Sequence, residues 1–593
     1  MELPSRPKDD LFTVPGRYRE LQERVRRRVT GDDTPVLFVN AFDRRTRLGP
    51  FLFVDKRLIP GAPRAVASAL GAAGFEHIRV VLQQWNPRVR PSQARINGKA
   101  PGLLLVSSMQ IHSAMAYRLI DDAWQLGDDR PLIIAGGAKA AYEPWDFFGH
   151  GPDGRRGADV VVTGEEFVLL ELLDRVLEYR SDQEPWRPAF EKARAAGALA
   201  DIPGLVYPRD PMGEMPAELV DTGPQRLVQD LDELPLPFDA LGLFEPPHRH
   251  AELAPRAMRA DEVRRHAHTM ALVTTHGCKF HCAYCPIHAY NQGTFRFRSP
   301  ARLVEEITGI VERTGIFSFF GTDDNFFNDR ESAEAILTAM AAATVGGKPF
   351  RDAIWVGTEA TEHDVDRNRD LIPLARAAGI QAIWFGIEDM TAELVKKGQS
   401  AEKTRAVFRH LLGHGIAPMA MMMHFDGQPL WSWAGLSGLV NQIRFLRRSG
   451  AISVMITMLT PMVGSRGYEQ SYRDGLVLGR VGKVLVADRH YDGNHIVATA
   501  SRWPWMKQVN IFIAYATFYN PFSALGALVK VDRLWKFRLL LQFLGHLGIL
   551  KSVWSASGWM RRLLTGPVER LRDAPVPKFR LVPPPDLDVQ GAH

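Results

Sequence analysis

Between residues 270 and 465 the chain alternates short apolar runs with longer amphipathic ones. The apolar runs are 270–275, 316–321, 353–357, 381–386, 416–425 and 452–460. The amphipathic segments between them are 299–314, 330–343, 366–378, 400–414 and 433–449. Runs of strand length alternating with helical periodicity predict parallel βα units with right-handed crossovers. Three successive strand ends then carry polar residues on one face. The second run leads into Gly321-Thr322-Asp323-Asp324-Asn325-Phe326, the third ends Gly357-Thr358-Glu359, and the fourth ends Gly386-Ile387-Glu388. One such end is an ordinary polar loop. Three on one face favour a ligand site, because glycine admits close backbone approach and carboxylates meet ammonium and hydroxyl groups.

A second α/β pattern precedes this one. Strand-like runs at 35–42, 78–84, 102–107, 131–135 and 159–163 alternate with helical patterns at 63–74 and 167–179. They predict a flavodoxin-like (Rossmann-type) sheet over 31–180, which binds ligands at the C-terminal ends of its strands. Residues 1–30 read as a helical extension, 181–255 as a hairpin and proline-stiffened linker, and 256–465 as the larger α/β domain. The remainder, 466–593, reads as mostly helical. Its stretch 509–529 has no charged residue and is long enough to span a membrane, but Pro521 breaks or kinks a helix there. The stretch 534–544 and Trp554, Trp559, Arg561 and Arg562 mix apolar, aromatic and cationic residues. That mixture fits a cap over the preceding domain or a helix lying on a membrane. The tail from Pro583 is expected to be disordered.

The net charge is +6 over 593 residues, with Lys and Arg dispersed. Without a basic stripe or an added RNA-binding pattern, nucleic acid is not expected as the main partner. The opening MELPSRPKDDLF is charged and lacks an apolar core, so no secretory signal is expected.

All three cysteines fall within eight residues, in His276-Gly277-Cys278-Lys279-Phe280-His281-Cys282-Ala283-Tyr284-Cys285. An odd number argues against a disulfide framework. A Cys3His zinc site using His276, His281 or His288 is the competing reading, although zinc modules usually pair two knuckles. Three thiolates in C-x3-C-x2-C can also hold three irons of a [4Fe–4S] cluster and leave the fourth iron open. The cysteines follow the first strand of the larger domain, at the mouth where barrel active sites sit.

This motif and its setting resemble the radical S-adenosylmethionine superfamily. The resemblance implies a partial (β/α)6 TIM-like barrel, with Cys278, Cys282 and Cys285 as cluster ligands. It implies that Tyr284, Gly321, Thr322, Asp323, Asp324, Glu359 and Glu388 bind S-adenosylmethionine. Met423-His424-Phe425-Asp426-Gly427 and Thr460-Pro461-Met462-Val463-Gly464-Ser465 complete the likeness, although Val463 and Ser465 depart from the common T-P-x-P-G-T form. The domain before the barrel resembles the cobalamin-binding domain of one branch of these enzymes. There Ser107, Ser108, Gly136, Gly137, Gly164 and Glu165 are implied as cobalamin contacts. The loop after its first strand, Asp43-Arg44-Arg45-Thr46-Arg47-Leu48-Gly49, lacks the histidine that ligates cobalt in many such domains. His112 lies near a strand end, and a lone histidine reads as an ordinary polar contact.

The resemblance implies a cobalamin-dependent C-methyltransferase acting on an unactivated carbon of an apolar or natural-product-like substrate. Its cofactors would be a [4Fe–4S] cluster, S-adenosylmethionine and cobalamin, with an electron donor such as flavodoxin or ferredoxin. The alternatives are a radical cyclase, oxidase or rearrangement enzyme without methyl transfer, and a zinc-stabilised binding protein. Cluster thiolates imply a cytoplasmic setting, with peripheral contact to the inner membrane face as an open expectation.

Overall fold

A computed structural model describes residues 3–46, 57–149, 156–210, 216–394, 400–529 and 532–584. Arg47, Leu48 and Gly49 of the loop after the first strand lie outside these residues, as does the tail from Pro585. The chain divides into two compact units. One comprises Leu3–Arg44, Pro60–His266 and the chain from Pro575; the other comprises Arg45–Ile59 and Ala267–Ala574.

The first unit is built on an eight-stranded sheet. Five parallel strands, in chain order Val36–Asn40, Ile78–Leu82, Leu103–Ser107, Leu132–Gly136 and Val160–Val162, lie in spatial order 2-1-3-4-5. This is the flavodoxin-like arrangement, whose switch point lies between the first and third strands. The strands are buried on both faces, as their unbroken Val, Leu and Ile content requires. Leu37, Val39, Leu104, Val106 and Ile133 meet Ala116, Leu119 and Phe147 in one core. Residues 181–255, expected as a hairpin and linker, belong to this unit. Leu205–Pro208 and Glu218–Asp221 form an antiparallel hairpin that extends the sheet past Val160–Val162. Arg580–Val582 then adds a parallel strand. The predicted C-terminal block 466–593 is thus divided, its last strand pairing in the first unit's sheet.

The second unit is a curled parallel sheet. Its strands, first to sixth, are Thr269–Leu272, Ser318–Gly321, Trp355–Ala360, Ile380–Glu388, Ala417–His424 and Ser453–Met458, paired in chain order. Leu58–Ile59 pairs with the first strand. The crossover helices start where short polar side chains cap them: Ser299 accepts from Arg302 N, Asp329 from Ser332 N and Ser400 from Lys403 N. The expected helix 366–378 is divided into Glu362–Arg367 and Ile372–Ala377, with Pro373 in the first turn of the second piece. The expected helix 433–449 begins only at Leu439, after a loop containing Gly435 and Gly438.

The C-terminal helices of this unit are Pro504–Phe518, Pro521–Val529 and Trp535–Thr565. Pro521 opens the second of them, so the uncharged stretch is two helices. Tyr515 and Tyr519 close the sheet's edge. The Tyr515 hydroxyl donates to Ile456 O (2.7 Å) and accepts from Ile456 N (2.8 Å). Tyr519 does the same at Val454 (2.9 and 3.0 Å). Two side chains thereby do what a seventh strand would do for the sixth.

Candidate active site

Beyond the first barrel strand, Thr275–His276 pairs antiparallel with Arg296–Phe297. This hairpin carries Cys278, Cys282 and Cys285, all half-buried and none in a disulfide. Gly277 turns the chain into the loop with φ +95°, and a Cβ there would run into the Thr294 carbonyl oxygen. No side chain fits that position without moving the loop.

The loop backbone is tied from two sides. Asp324 Oδ2 accepts from Gly277 N at 2.6 Å, and Asn328 Oδ1 accepts from Lys279 N at 2.8 Å. Gly467 N donates to Ala283 O at 2.7 Å, and the Arg466 guanidinium donates to His281 O. Lys279 Nζ is held by Asp364 Oδ1 at 2.5 Å, and Asp364 also accepts from Asn325 Nδ2 at 2.7 Å. Burial, reinforced by the neighbouring Cys282, Asp324 and Cys278, pushes the Cys285 thiol up to about 12. Three thiols that repel each other's charge suit a cationic group among them. Among the described residues, no three His, Cys, Asp or Glu side chains converge as ligands of a single ion would. His281 and His288 stack on each other at 3.9 Å. Three thiolates on one loop can bind three separate irons of a cubane, so the donor set fits a [4Fe–4S] cluster.

The acidic residues predicted beside the loop have different parts. Asp323 is fully buried. Its Oδ1 accepts from Thr274 Oγ1 (2.5 Å), Thr274 N (2.8 Å) and Thr275 N (2.9 Å), and its Oδ2 accepts from Thr358 Oγ1 (2.6 Å). With these bonds it fixes the start of the cysteine hairpin rather than facing the cleft. Asp324 holds Gly277, and burial raises its carboxyl to about 6. Glu359 lies half-buried on the third strand. Burial first, then the charges of Asp323, Asp324 and Glu388, raise it to about 8. Glu388 sits at a register shift at the end of the fourth strand with φ +59°, left-handed backbone that costs about 1–3 kcal/mol in a non-glycine residue. The Tyr284 hydroxyl lies against Cys282 and Glu388, and burial raises its pKa further above the usual phenol range. Glu388 and Asp324 therefore lie against the cysteine loop, to which Tyr284 itself belongs, and Glu359 lies beside both carboxylates. Gly321 packs against Asp323 and the third strand, and Thr322 N donates to Leu272 O at 2.8 Å.

A narrow pocket of about 30 Å³ lies at the ends of the fifth and sixth strands. Phe425, Met458, Leu459, Leu476 and Ile496 supply its apolar lining. Its polar groups are engaged: Lys507 Nζ donates to Asp426 O (2.5 Å) and Gln428 O (2.9 Å), and His424 Nδ1 meets Gln428 Oε1 at 2.8 Å. Burial lowers His424 to about 4, so the ring is neutral at pH 7.

In the first unit Ser107, Ser108, Gly136 and Gly137 come together at the C-terminal ends of the third and fourth strands. Ser107 ends the third strand beside Ala41, whose N donates to Ser107 O at 2.9 Å. Gly137 has φ +90°, and a Cβ there would fall 2.7 Å from Ser107 Oγ and 2.9 Å from Ser108 N. Gly136 O accepts from Ser108 N, so these four residues form one narrow ledge. Gly164 and Glu165 lie one strand further, where Gln225 Oε1 accepts from Glu165 N at 2.7 Å. His112 is not aimed outward as a cobalt ligand would be. It is buried, accepts from Asp43 N at 3.1 Å and packs on Phe42, and burial lowers it to about 4.

Residues 272–436 match the family model of the radical SAM superfamily. The likeness is confined to that segment, which is where the cysteine loop and the three polar strand ends lie. The match spans the cysteine loop, Glu359 and Glu388. The radical SAM methyltransferase TsrM from Kitasatospora setae, in a structure with cobalamin and a [4Fe–4S] cluster bound, superposes with a TM-score of 0.55. It is 15% identical, over 88% of this chain and 100% of that one. An anaerobic magnesium-protoporphyrin IX monomethyl ester cyclase from Synechocystis sp. is 22% identical over 296 residues, 49% of each chain. An uncharacterised methyltransferase from the same organism is 25% identical over 254 residues, 40% of this chain and 46% of its own. The chain spans about half the length of these curated relatives.

Several residues that shape the cysteine loop escaped the sequence reading. Thr274, Asn291, Asn328, Asp364, Arg466 and Gly467 all act through the backbone of the cysteine loop or through residues that hold it. They lie up to about two hundred positions from the residues they hold, so local pattern gives no signal. Asn325 and Asn328, within four residues of Asp324, were the nearest available hint.

Proposed function

We propose that this protein is a cobalamin-dependent radical SAM C-methyltransferase acting on an unactivated carbon of an apolar substrate. The observation that carries the reading is one chain joining a backbone-tied loop of three cysteines outside any disulfide, at a barrel rim, to a flavodoxin-order sheet with a glycine ledge. When bound, the cluster and cobalamin would supply one-electron cleavage of S-adenosylmethionine to a 5′-deoxyadenosyl radical and a transferable methyl group.

The chain's own residues bind, orient and exclude. Cys278, Cys282 and Cys285 would hold the cluster. Glu359, protonated at neutral pH, would ionise when an ammonium group of S-adenosylmethionine arrives beside it. Tyr284 and Glu388 would fix the cosubstrate side of the loop. Ser107, Ser108, Gly136 and Gly137, with Gly164 and Glu165 one strand along, would cradle cobalamin without an imidazole ligand, since His112 is engaged. A flavodoxin or ferredoxin would supply electrons. The setting would be cytoplasmic, with peripheral contact to the inner membrane face.

Feeding cells deuteromethyl methionine tests the reaction. A product carrying the label is expected in expressing cells and absent with Cys282→Ala; no labelled product in expressing cells overturns methyl transfer. The likeness to a cyclase favours a second reading, a radical step without methylation. Product stoichiometry separates them. Methyl transfer yields S-adenosylhomocysteine together with 5′-deoxyadenosine, whereas the second reading yields only the latter.

A further inference from the structure

The helix Trp535–Thr565 is apolar on two opposite sides. Leu541, Ala556, Trp559 and Leu563 are buried within the barrel unit. Trp559 Nε1 donates to Ile496 O at 3.2 Å, and its ring stacks on His490 at 4.6 Å. The other side carries Leu540, Phe543, Leu547, Leu550 and Trp554, all exposed, Trp554 at 84%. Their steps of three and four residues make one stripe, about 21 Å long at 1.5 Å per residue. Phe522, Leu525, Leu528 and Val529 of the adjoining helix Pro521–Val529 are exposed as well. Soluble monomers rarely leave a patch of this kind uncovered.

Charge identifies the occupant. Between residues 493 and 568 there are nine Lys and Arg residues and a single Asp, in a chain whose total charge is only +6. The rest of the protein is therefore net acidic. Exposed cations stand at both ends of the stripe, Arg533 and Lys536 before it, Arg561 and Arg562 after it. Length and hydropathy alone would let the helix cross a bilayer. Its buried side, fixed by Trp559 and Leu541, holds it along the barrel unit instead.

We propose that this face docks on a bilayer bearing anionic headgroups. The apolar stripe enters the acyl boundary, and the flanking cations meet lipid phosphates. The inference rests on the membrane-contact reading above and names its surface and lipid charge. Its test needs neither substrate nor turnover, so its failure and a failure of methyl transfer are distinguishable.

The purified full chain is floated with phosphatidylcholine vesicles, with and without phosphatidylglycerol. Binding to the anionic vesicles is expected, weakened about tenfold or more by high salt or by Arg561→Ser with Arg562→Ser. Phe543→Asp with Leu550→Asp is expected to abolish it while the circular dichroism spectrum stays unchanged. Brominated lipid is expected to quench tryptophan fluorescence, and Trp554→Phe, which spares the fold, to remove most of that quenching. The proposal is overturned if the wild type does not float, if binding ignores headgroup charge, or if the quenching survives Trp554→Phe. It is likewise overturned if the stripe proves to be buried in a dimer that the aspartates dissociate and that binds no vesicles.

Discussion

Gly277 is where the cysteine loop is most exposed to a single substitution. Alanine there must adopt φ +95° and displace the Thr294 carbonyl. We expect Gly277→Ala to destabilise the loop by about 1–3 kcal/mol or more and to lower iron content after reconstitution, with all three thiols intact. Iron content equal to wild type would contradict this. Glu359 sets a pH dependence. Its folded pKa of about 8 lies above the usual carboxyl value of 4.5, so the folded chain binds the extra proton between those values. The sign follows: this group's contribution to barrel stability falls as pH rises through that window, while affinity for a cationic cosubstrate increases. Titration calorimetry with S-adenosylmethionine from pH 6 to about 8.5 is expected to show tighter binding at higher pH, and a flat profile for Glu359→Gln. The gathering of the three cysteines on one loop was legible because they lie within eight residues of each other. Asp323 was not, because a carboxylate facing a ligand and one facing Thr274, Thr275 and Thr358 have the same sequence signature.

At the scale of elements, the edge of the barrel sheet depends on two hydroxyls. Tyr515→Phe would strand the Ile456 N–H and carbonyl, and Tyr519→Phe would strand those of Val454. Each is expected to cost about 1–3 kcal/mol in denaturant unfolding, because a buried backbone group left unpaired forfeits its solvation. Strands were the most readable elements, since runs such as 36–40 and 132–136 are continuous and apolar. Helix starts were less so. Trp433 sits in a helical pattern but is 92% exposed in a loop, and the chain becomes helical only after Gly438. Pro521 was readable because proline cannot continue a helix, and it does open the second of two.

At the scale of the whole molecule, sequence order misleads. The hairpin 205–221 is readable as a hairpin, yet nothing local shows that its buried Val206 and Tyr207 extend the first unit's sheet. Arg580–Val582 belongs to that same sheet, a pairing across more than three hundred residues that no local pattern announces. Charge is the reverse case: a modest total conceals a strongly cationic C-terminal region, and only the structure reveals the exposed stripe between its cations.

The account turns on what the three thiols hold. Full-length protein, reconstituted anaerobically with iron and sulfide, is analysed for metal and acid-labile sulfide and then reduced with S-adenosylmethionine. The expected result is about four irons and four sulfides per chain with formation of 5′-deoxyadenosine, and neither in Cys278→Ala, Cys282→Ala or Cys285→Ala. Bound zinc without labile sulfide, or 5′-deoxyadenosine made by any of those variants, would contradict it.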